Sequence, residues 1–174
     1  MELLEIMRTR RSVRNYTGEP VSDEKITKIL QAGLLAPSGK ARRPWEFIVV
    51  KDKEVLKQMV GSRIGGSAPM GVCDAAIVVL GNENETDVWI EDCSVAMTQM
   101  WLMAEAEGVG ACWVQSRLRP ATDGRTADEY LRDILGYPEN CHALCTLCLG
   151  MTAVQPAAYE LDSLLTDKIH YGKY

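Results

Sequence analysis

Between Val95 and Ala104 the chain reads Val-Ala-Met-Thr-Gln-Met-Trp-Leu-Met-Ala, and the two interruptions in this apolar run, Thr98 and Gln99, carry no charge. The run lies inside a predicted helix, Asp87–Glu107, that Gly108-Val109-Gly110 closes. A surface helix is apolar along one stripe and polar opposite; a helix that is apolar all round has to be enclosed on nearly every side. The chain has 174 residues, one domain's worth, and a domain that small struggles to wrap a helix by itself. A second subunit is the economical cover. The sequence therefore predicts a homodimer with this helix buried between copies.

The rest of the chain mixes helices and strands. Glu2–Thr9 reads as a short amphipathic helix. Ser22 caps a helix to about Leu35 that buries Ile26, Ile29, Leu30 and Leu34, and Ala36-Pro37-Ser38-Gly39 breaks it. Trp45–Val50 is a predicted strand, Asp52 opens a helix to about Met59, and the glycine-rich Gly61–Gly71 is a loop or broken helix. Asp74–Leu80 is apolar without alternation, which predicts a strand covered on both faces. Ala111–Gln115 and His142–Leu149 are further strands, with a helix over Thr126–Leu135 between them. The fold class is α+β, in one domain over residues 1–174. The tail, Met151–Tyr174, carries Leu161, Leu164, Leu165, Ile169 and three tyrosines, and is too apolar to hang free.

Composition removes several function classes. Apolar residues make up 47% and charged ones 25%, which excludes a disordered chain. The net charge of −5 argues against general nucleic-acid binding. The longest apolar runs, Ala75–Leu80 and Ala143–Met151, fall short of the ~20 residues of a membrane span. The start, Met1-Glu2-Leu3-Leu4-Glu5, lacks a secretion signal's basic and apolar regions, so a cytoplasmic location is expected. In that setting the six cysteines are read as core thiols. A strand through Cys141–Cys148 would send Cys145 and Cys148 to opposite faces, which suits a zinc site badly, and no metal is expected.

Catalytic equipment is sparse. Glu107-Gly108-Val109-Gly110-Ala111-Cys112 lacks the third glycine of a dinucleotide fingerprint and precedes a strand instead of following one. No phosphate loop or nucleophile elbow exists, and of two histidines His142 reads as structural and His170 as without a catalytic role. Such a chain borrows its chemistry from a cofactor or has none. The arginines give the lead. Residues 1–50 hold nine Lys/Arg and six Asp/Glu, a balance of +3 that leaves −8 for the remainder. Arg10, Arg11 and Arg14 flank Ser12, and alternating guanidinium forks with a hydroxyl suit a phosphate. The Pro37-Ser38-Gly39 turn lets backbone approach a flat ring closely.

Arg10-Arg11-Ser12-Val13-Arg14-Asn15-Tyr16 resembles the opening motif of the FMN-dependent nitroreductase family. Ala36-Pro37-Ser38-Gly39 followed by Pro44-Trp45-Glu46-Phe47 resembles its second motif. Gly108-Val109-Gly110-Ala111-Cys112-Trp113 is similar to the segment after its long helix, and Asp167-Lys168-Ile169-His170-Tyr171 to the ending of its small members. The resemblance implies a nitroreductase-like fold: a central, mostly antiparallel sheet flanked by helices, in an intertwined homodimer with two FMN sites at the interface. The tail over 151–174 would pack on the partner subunit. By matching position, Arg10 would contact the FMN phosphate with Arg11 and Ser12 beside it, and Arg14 would reach the pyrimidine edge of the ring. Pro37, Ser38 and Gly39 would come from the other subunit. The backbone of Val114, Gln115 and Ser116 would lie by the reactive N5, and Lys168 would make a second phosphate contact. The family usually carries Asn and Gln before Pro-Trp, where this chain has Ala41 and Arg43.

The implied activity is an FMN-dependent NAD(P)H oxidoreductase, with NADH or NADPH as donor and a small nitroaromatic or quinone-like acceptor, in a two-step exchange. No residue is assigned as catalytic, because the flavin carries the chemistry. The Ala41 and Arg43 replacements leave open a flavin-binding or sensing protein without turnover. Family membership alone leaves open a specialised enzyme such as a reductive dehalogenase.

Overall fold

A computed structural model describes residues 2–174; Met1 lies outside it. The described residues form six α-helices and four strands: α1 (Leu3–Thr9), α2 (Asp23–Leu34), β1 (Trp45–Val50), α3 (Lys53–Met59), α4 (Ala68–Val72), β2 (Ala75–Asn82), α5 (Trp89–Ala106), β3 (Gly110–Gln115), α6 (Ala127–Leu135) and β4 (Cys141–Gly150). The strands form one sheet in the order β1-β2-β4-β3, antiparallel throughout. β2 and β4 occupy its centre and are buried along nearly their whole length, which is why their sequences show continuous apolar runs.

Each face of the sheet carries its own core. On one side Ile77, Val79 and Leu147 pack with Ile29 of α2 and Met97 and Met100 of α5. On the other, Val78, Leu80 and Val114 pack with Leu56, Met59, Met70 and Leu131 from α3, α4 and α6. Cys145 belongs to the first core and Cys148 to the second, on opposite faces as the strand reading requires. All six cysteines are free and buried. α2 approaches α5 closely because Gly33 leaves space for Met100, whose Cγ would stand 2.8 Å from a side-chain carbon there.

Local signals set most of the boundaries. Ser22 accepts the Lys25 N–H at 3.3 Å at the start of α2. Thr126 and Glu129 form a reciprocal capping box on α6, which ends at left-handed Gly136. α5 begins at Trp89, two residues later than its sequence suggests, because the Thr86 hydroxyl accepts the Val88 N–H and holds that segment as a turn. The glycine-rich stretch resolves into a 3₁₀ turn over Val60–Ser62, a loop, and α4 with Pro69 in its first turn.

Two apolar regions stay open in the isolated chain. α5 buries Cys93, Ala96, Met97, Met100 and Ala104 but leaves Val95 40% exposed. Beside that open face lies a recess of about 280 Å³ lined by Leu3, Ile6, Ala32, Leu35, Leu102 and Met103. In the tail, Leu161, Leu164, Leu165 and Ile169 are all more than half exposed. No helix among the described residues is long and apolar enough to cross a membrane.

Candidate functional site

The arginine segment is placed by a short run of extended chain. α1 ends at Thr9, and Arg10 turns the backbone out of the helix. Ser12 then bridges Ala111 in parallel fashion, and the Val13 N–H donates to the Ala111 oxygen at 2.9 Å. Val13 is buried against Gly110, where a side chain would stand 2.9 Å from its Cγ1. With Val13 turned inward, the flanking arginines face out along the start of β3.

Their guanidinium groups divide into two kinds. Arg8 pairs with Glu5 at 2.7 Å and donates to the Tyr159 carbonyl at 3.1 Å, and Arg11 donates to the Ala157 carbonyl and lies 4.6 Å over the Tyr159 ring, so both tie the tail to the end of α1 and the segment that follows it. Arg10 lies 4.1 Å over the Trp101 ring, and Arg14 is exposed, with a 3.4 Å hydrogen bond to the Ser12 carbonyl. Neither Arg10 nor Arg14 has a carboxylate partner among the described residues. Arg14 borders a recess of about 560 Å³ with Ser12, Asn15, Tyr16, Thr152 and Pro156. Arg10 borders a smaller one of about 390 Å³ with Met7, Trp101 and Trp113. Burial holds the Tyr16 phenol neutral, its hydroxyl donating to the Val13 carbonyl at 2.9 Å.

The far end of β3 carries a second set of groups. Val114 and Ser116 are buried, and the Ser116 hydroxyl has no hydrogen-bond partner. The Gln115 side chain accepts the Trp113 indole N–H at 2.9 Å and donates to the Arg117 carbonyl at 3.2 Å. Arg63 donates to the Gln115 carbonyl at 3.4 Å, and its Nε is a further orphan. Its guanidinium lies against Gly66, whose φ of +77° only glycine takes easily. From Ala111 to Ser116 the strand covers roughly 16 Å, the span over which arginines and orphaned polar groups share one edge.

Pro37, Ser38 and Gly39 lie elsewhere. The Ser38 hydroxyl accepts the Arg43 N–H at 2.9 Å, and the Gly39 N–H donates to Oδ1 of Asp92 on α5 at 2.9 Å. Arg10 sits over Trp101, nine residues further along the same helix and so about 13 Å away along its axis. One chain thus joins the arginines to β3 and the tail, and holds the Pro-Ser-Gly turn at the other end of α5. Lys168 lies in the exposed 3₁₀ turn Thr166–Lys168, outside both recesses. Trp101, Arg63 and Asp92 escaped the sequence reading. A lone cation among glycines was a usable signal for Arg63. Nothing local distinguished Asp92 from a solvated helix carboxylate.

His142 forms a separate polar corner. Its Nδ1 lies 3.0 Å from Asp128 and its Nε2 3.2 Å from Glu83, while its ring stacks on Trp89 at 5.8 Å. Burial opposes its protonation, but the hydrogen bonds to both carboxylates outweigh it and raise its pKa.

The chain resembles known proteins over its whole length. A model described as the nitroreductase family matches residues 7–69 and 67–151. A protein of Archaeoglobus fulgidus named as an NADH dehydrogenase/NAD(P)H nitroreductase is 37% identical, covering 99% of this chain and 99% of its own. An FMN-dependent nitroreductase of Clostridium difficile superimposes with a TM-score of 0.95 at 38% identity, over 98% of this chain and 99% of that one. Iodotyrosine deiodinase of Daphnia pulex is 29% identical over 66% of this chain and 31% of its own length.

Proposed function

The chain belongs to the nitroreductase family, and from that premise we propose that it is an FMN-dependent NAD(P)H oxidoreductase. One observation carries the reading: Arg10 and Arg14, the two segment arginines engaged by neither a carboxylate nor the tail, flank Ser12 at the edge of β3 beside recesses of about 560 and 390 Å³. An acidic chain that leaves two guanidiniums uncommitted there has the donor set an FMN phosphate and an electron-rich ring edge require. The orphaned Ser116 hydroxyl and Trp101 indole N–H add unspent polar groups along the same edge.

Bound FMN supplies hydride acceptance from a nicotinamide and electron delivery to a second substrate. The chain's own residues hold and tune it. Arg10 takes the phosphate, with Ser12 and Arg11 beside it, and Arg14 places a fixed cation at the pyrimidine edge, favouring negative charge there. The backbone of Val114, Gln115 and Ser116 lines the reactive edge, kept in place by the Trp113–Gln115 and Arg63–Gln115 hydrogen bonds. Pro37, Ser38 and Gly39 reach the ring from a second copy of the chain, which accounts for their distance from Arg10 within one copy. That copy also covers the open face of α5 and the apolar tail, and Lys168 completes the phosphate contacts. NADH or NADPH and a nitroaromatic or quinone-like acceptor use one face in turn.

Protein purified without added flavin is expected to be yellow, to release FMN on denaturation, and to bleach anaerobically with NADH or NADPH. Colour without bleaching identifies a flavin-binding protein without turnover. If FMN neither copurifies nor binds on addition, the proposal fails. A monomeric mass in solution removes the second copy from the site. The deiodinase similarity supports a second reading, reductive dehalogenation, and release of halide from a haloaromatic phenol by the reduced protein tests it.

A further inference from the structure

The turn between Ala36 and Pro44 is held in a conformation its sequence does not favour. Lys40, Ala41 and Arg43 have φ of +52°, +54° and +51°, a left-handed region that L-residues of this kind rarely adopt. Such backbone persists only where its surroundings over-determine it. Within the turn, the Ala41 N–H donates to the Ser38 carbonyl, the Arg42 N–H to the Gly39 carbonyl and the Arg43 N–H to the Ser38 hydroxyl. Among the described residues, one hydrogen bond ties residues 38–43 to another element: the Gly39 N–H to Asp92 Oδ1, 2.9 Å.

Asp92 is an unusual choice of anchor. It is 93% buried, and its Oδ2 has no hydrogen-bond partner. A buried, half-satisfied carboxylate destabilises a fold unless something offsets it. Its place in the first turn of α5, an 18-residue helix, supplies part of that offset through the helix dipole. An anionic acceptor also binds a backbone N–H more strongly than a neutral one. We propose that Asp92 is a positioning residue: it clamps Gly39, and so fixes the left-handed turn that sets Ser38, Gly39 and the Lys40–Arg43 cations against the flavin ring. This rests on the reading above that the turn serves the flavin site. Displacing a group at a reacting ring by about 1 Å can cost up to ~100-fold in rate, so a clamp outside the site governs it.

Two measurements on D92A and D92N separate the clamp from the flavin reading. The first needs no flavin: amide hydrogen exchange over residues 39–43, with trypsin cleavage after Lys40 and Arg42. D92A is expected to raise both by about tenfold or more, while D92N, which keeps an acceptor oxygen, stays within about threefold of wild type. The second uses FMN-loaded protein: D92A shifts the visible absorption of the bound flavin and lowers kcat/KM by about tenfold, and D92N restores both. Wild-type exchange in D92A overturns the clamp. Raised exchange with an unchanged flavin spectrum and unchanged kcat/KM upholds the clamp and overturns the placement of the turn on the ring. Should D92A fail to fold, D92S, too short to reach Gly39, takes its place with the same expectations.

Discussion

Two aspartates, one half-buried and one buried, divide the molecule. Asp128, at the start of α6, accepts the Ala143 N–H and the Tyr137 hydroxyl at 2.7 and 2.8 Å, faces His142 at 3.0 Å and pairs with Arg132 at 2.8 Å. Asp92, near the start of α5, accepts one backbone N–H and leaves its other oxygen unpaired. Burial pushes the Asp128 carboxyl up, but the hydrogen bonds from Ala143, His142 and Tyr137 and the Arg132 charge outweigh it and lower its pKa. One carboxylate spends both oxygens within its own corner, although Arg132 Nε and His142 Nε2 beside it keep no hydrogen-bond partner. The other keeps one open beside a strained turn, and the uncommitted arginines further along the same helix repeat that pattern. A carboxylate with both oxygens engaged marks where this fold is braced, and one left half-satisfied beside a strained turn marks the corner that serves the candidate site.

The largest expected effect tests the braced corner. Asp128→Ala strands the Tyr137 hydroxyl, the Ala143 N–H and the Arg132 charge, and should cost about 2–4 kcal/mol of unfolding free energy. Denaturant titration measures it, and the folded fraction should keep its FMN affinity. A loss of FMN affinity without a loss of stability would reverse the assignment of the two corners. Arg10→Ala should behave oppositely. It removes a charge-assisted phosphate contact worth roughly 1.5–3 kcal/mol, read as a weaker FMN dissociation constant, while stability stays within about 0.5 kcal/mol. An unchanged dissociation constant takes Arg10 out of the site.

How much of this the sequence disclosed follows the same division. The long apolar helix, the doubly covered strand Ala75–Leu80 and the capping signals at Ser22 and Thr126 were legible, because burial and capping are written in local patterns. The arginine segment was legible as a cluster, but its split was not: Arg11 goes to Ala157 and Tyr159, about 146 residues away. Asp92 was invisible as a site residue because it acts through one long-range contact, to Gly39; Arg63 stood out as a lone cation among glycines, but its contact to Gln115 needed the fold. His142 was read as structural, yet its bracing by Asp128 and Glu83 needed the fold to bring α6 and the β2–α5 turn to the start of β4.

The braced corner should also show in the pH dependence of stability. The folded pKa of His142 is raised, so its ion-pair contribution is fully present below the ordinary histidine value of about 6.5 and fades as pH rises through the folded value. Asp128, lowered, contributes above the ordinary carboxylate value of about 3.9 and loses its contribution as pH falls through its folded value. The melting temperatures of wild type and His142→Phe should therefore differ most near pH 6, by about 1–3 °C beyond any constant packing offset, and converge as pH rises. A gap independent of pH would show that the imidazole stays neutral there.

The smallest effect falls on the strained corner and carries the opposite sign. Glycine at position 41 would relieve the left-handed cost of Ala41, about 1–2 kcal/mol. It would return roughly 0.4–1 kcal/mol through the freer unfolded chain, leaving a net gain of about 0–1.6 kcal/mol. At Gly136, which ends α6 at φ +71°, the fold has already taken that relief. If strain at residues 40–43 is what makes the Asp92 anchor necessary, Ala41→Gly should raise the melting temperature and at the same time speed hydrogen exchange across the turn. A slightly more stable protein that turns over its acceptor a few-fold more slowly would place the cost and the use of that strain on the same residues. A more stable protein with unchanged exchange and turnover would make the left-handed turn a tolerated irregularity, and the contrast between the two aspartates would then rest on Asp92 alone.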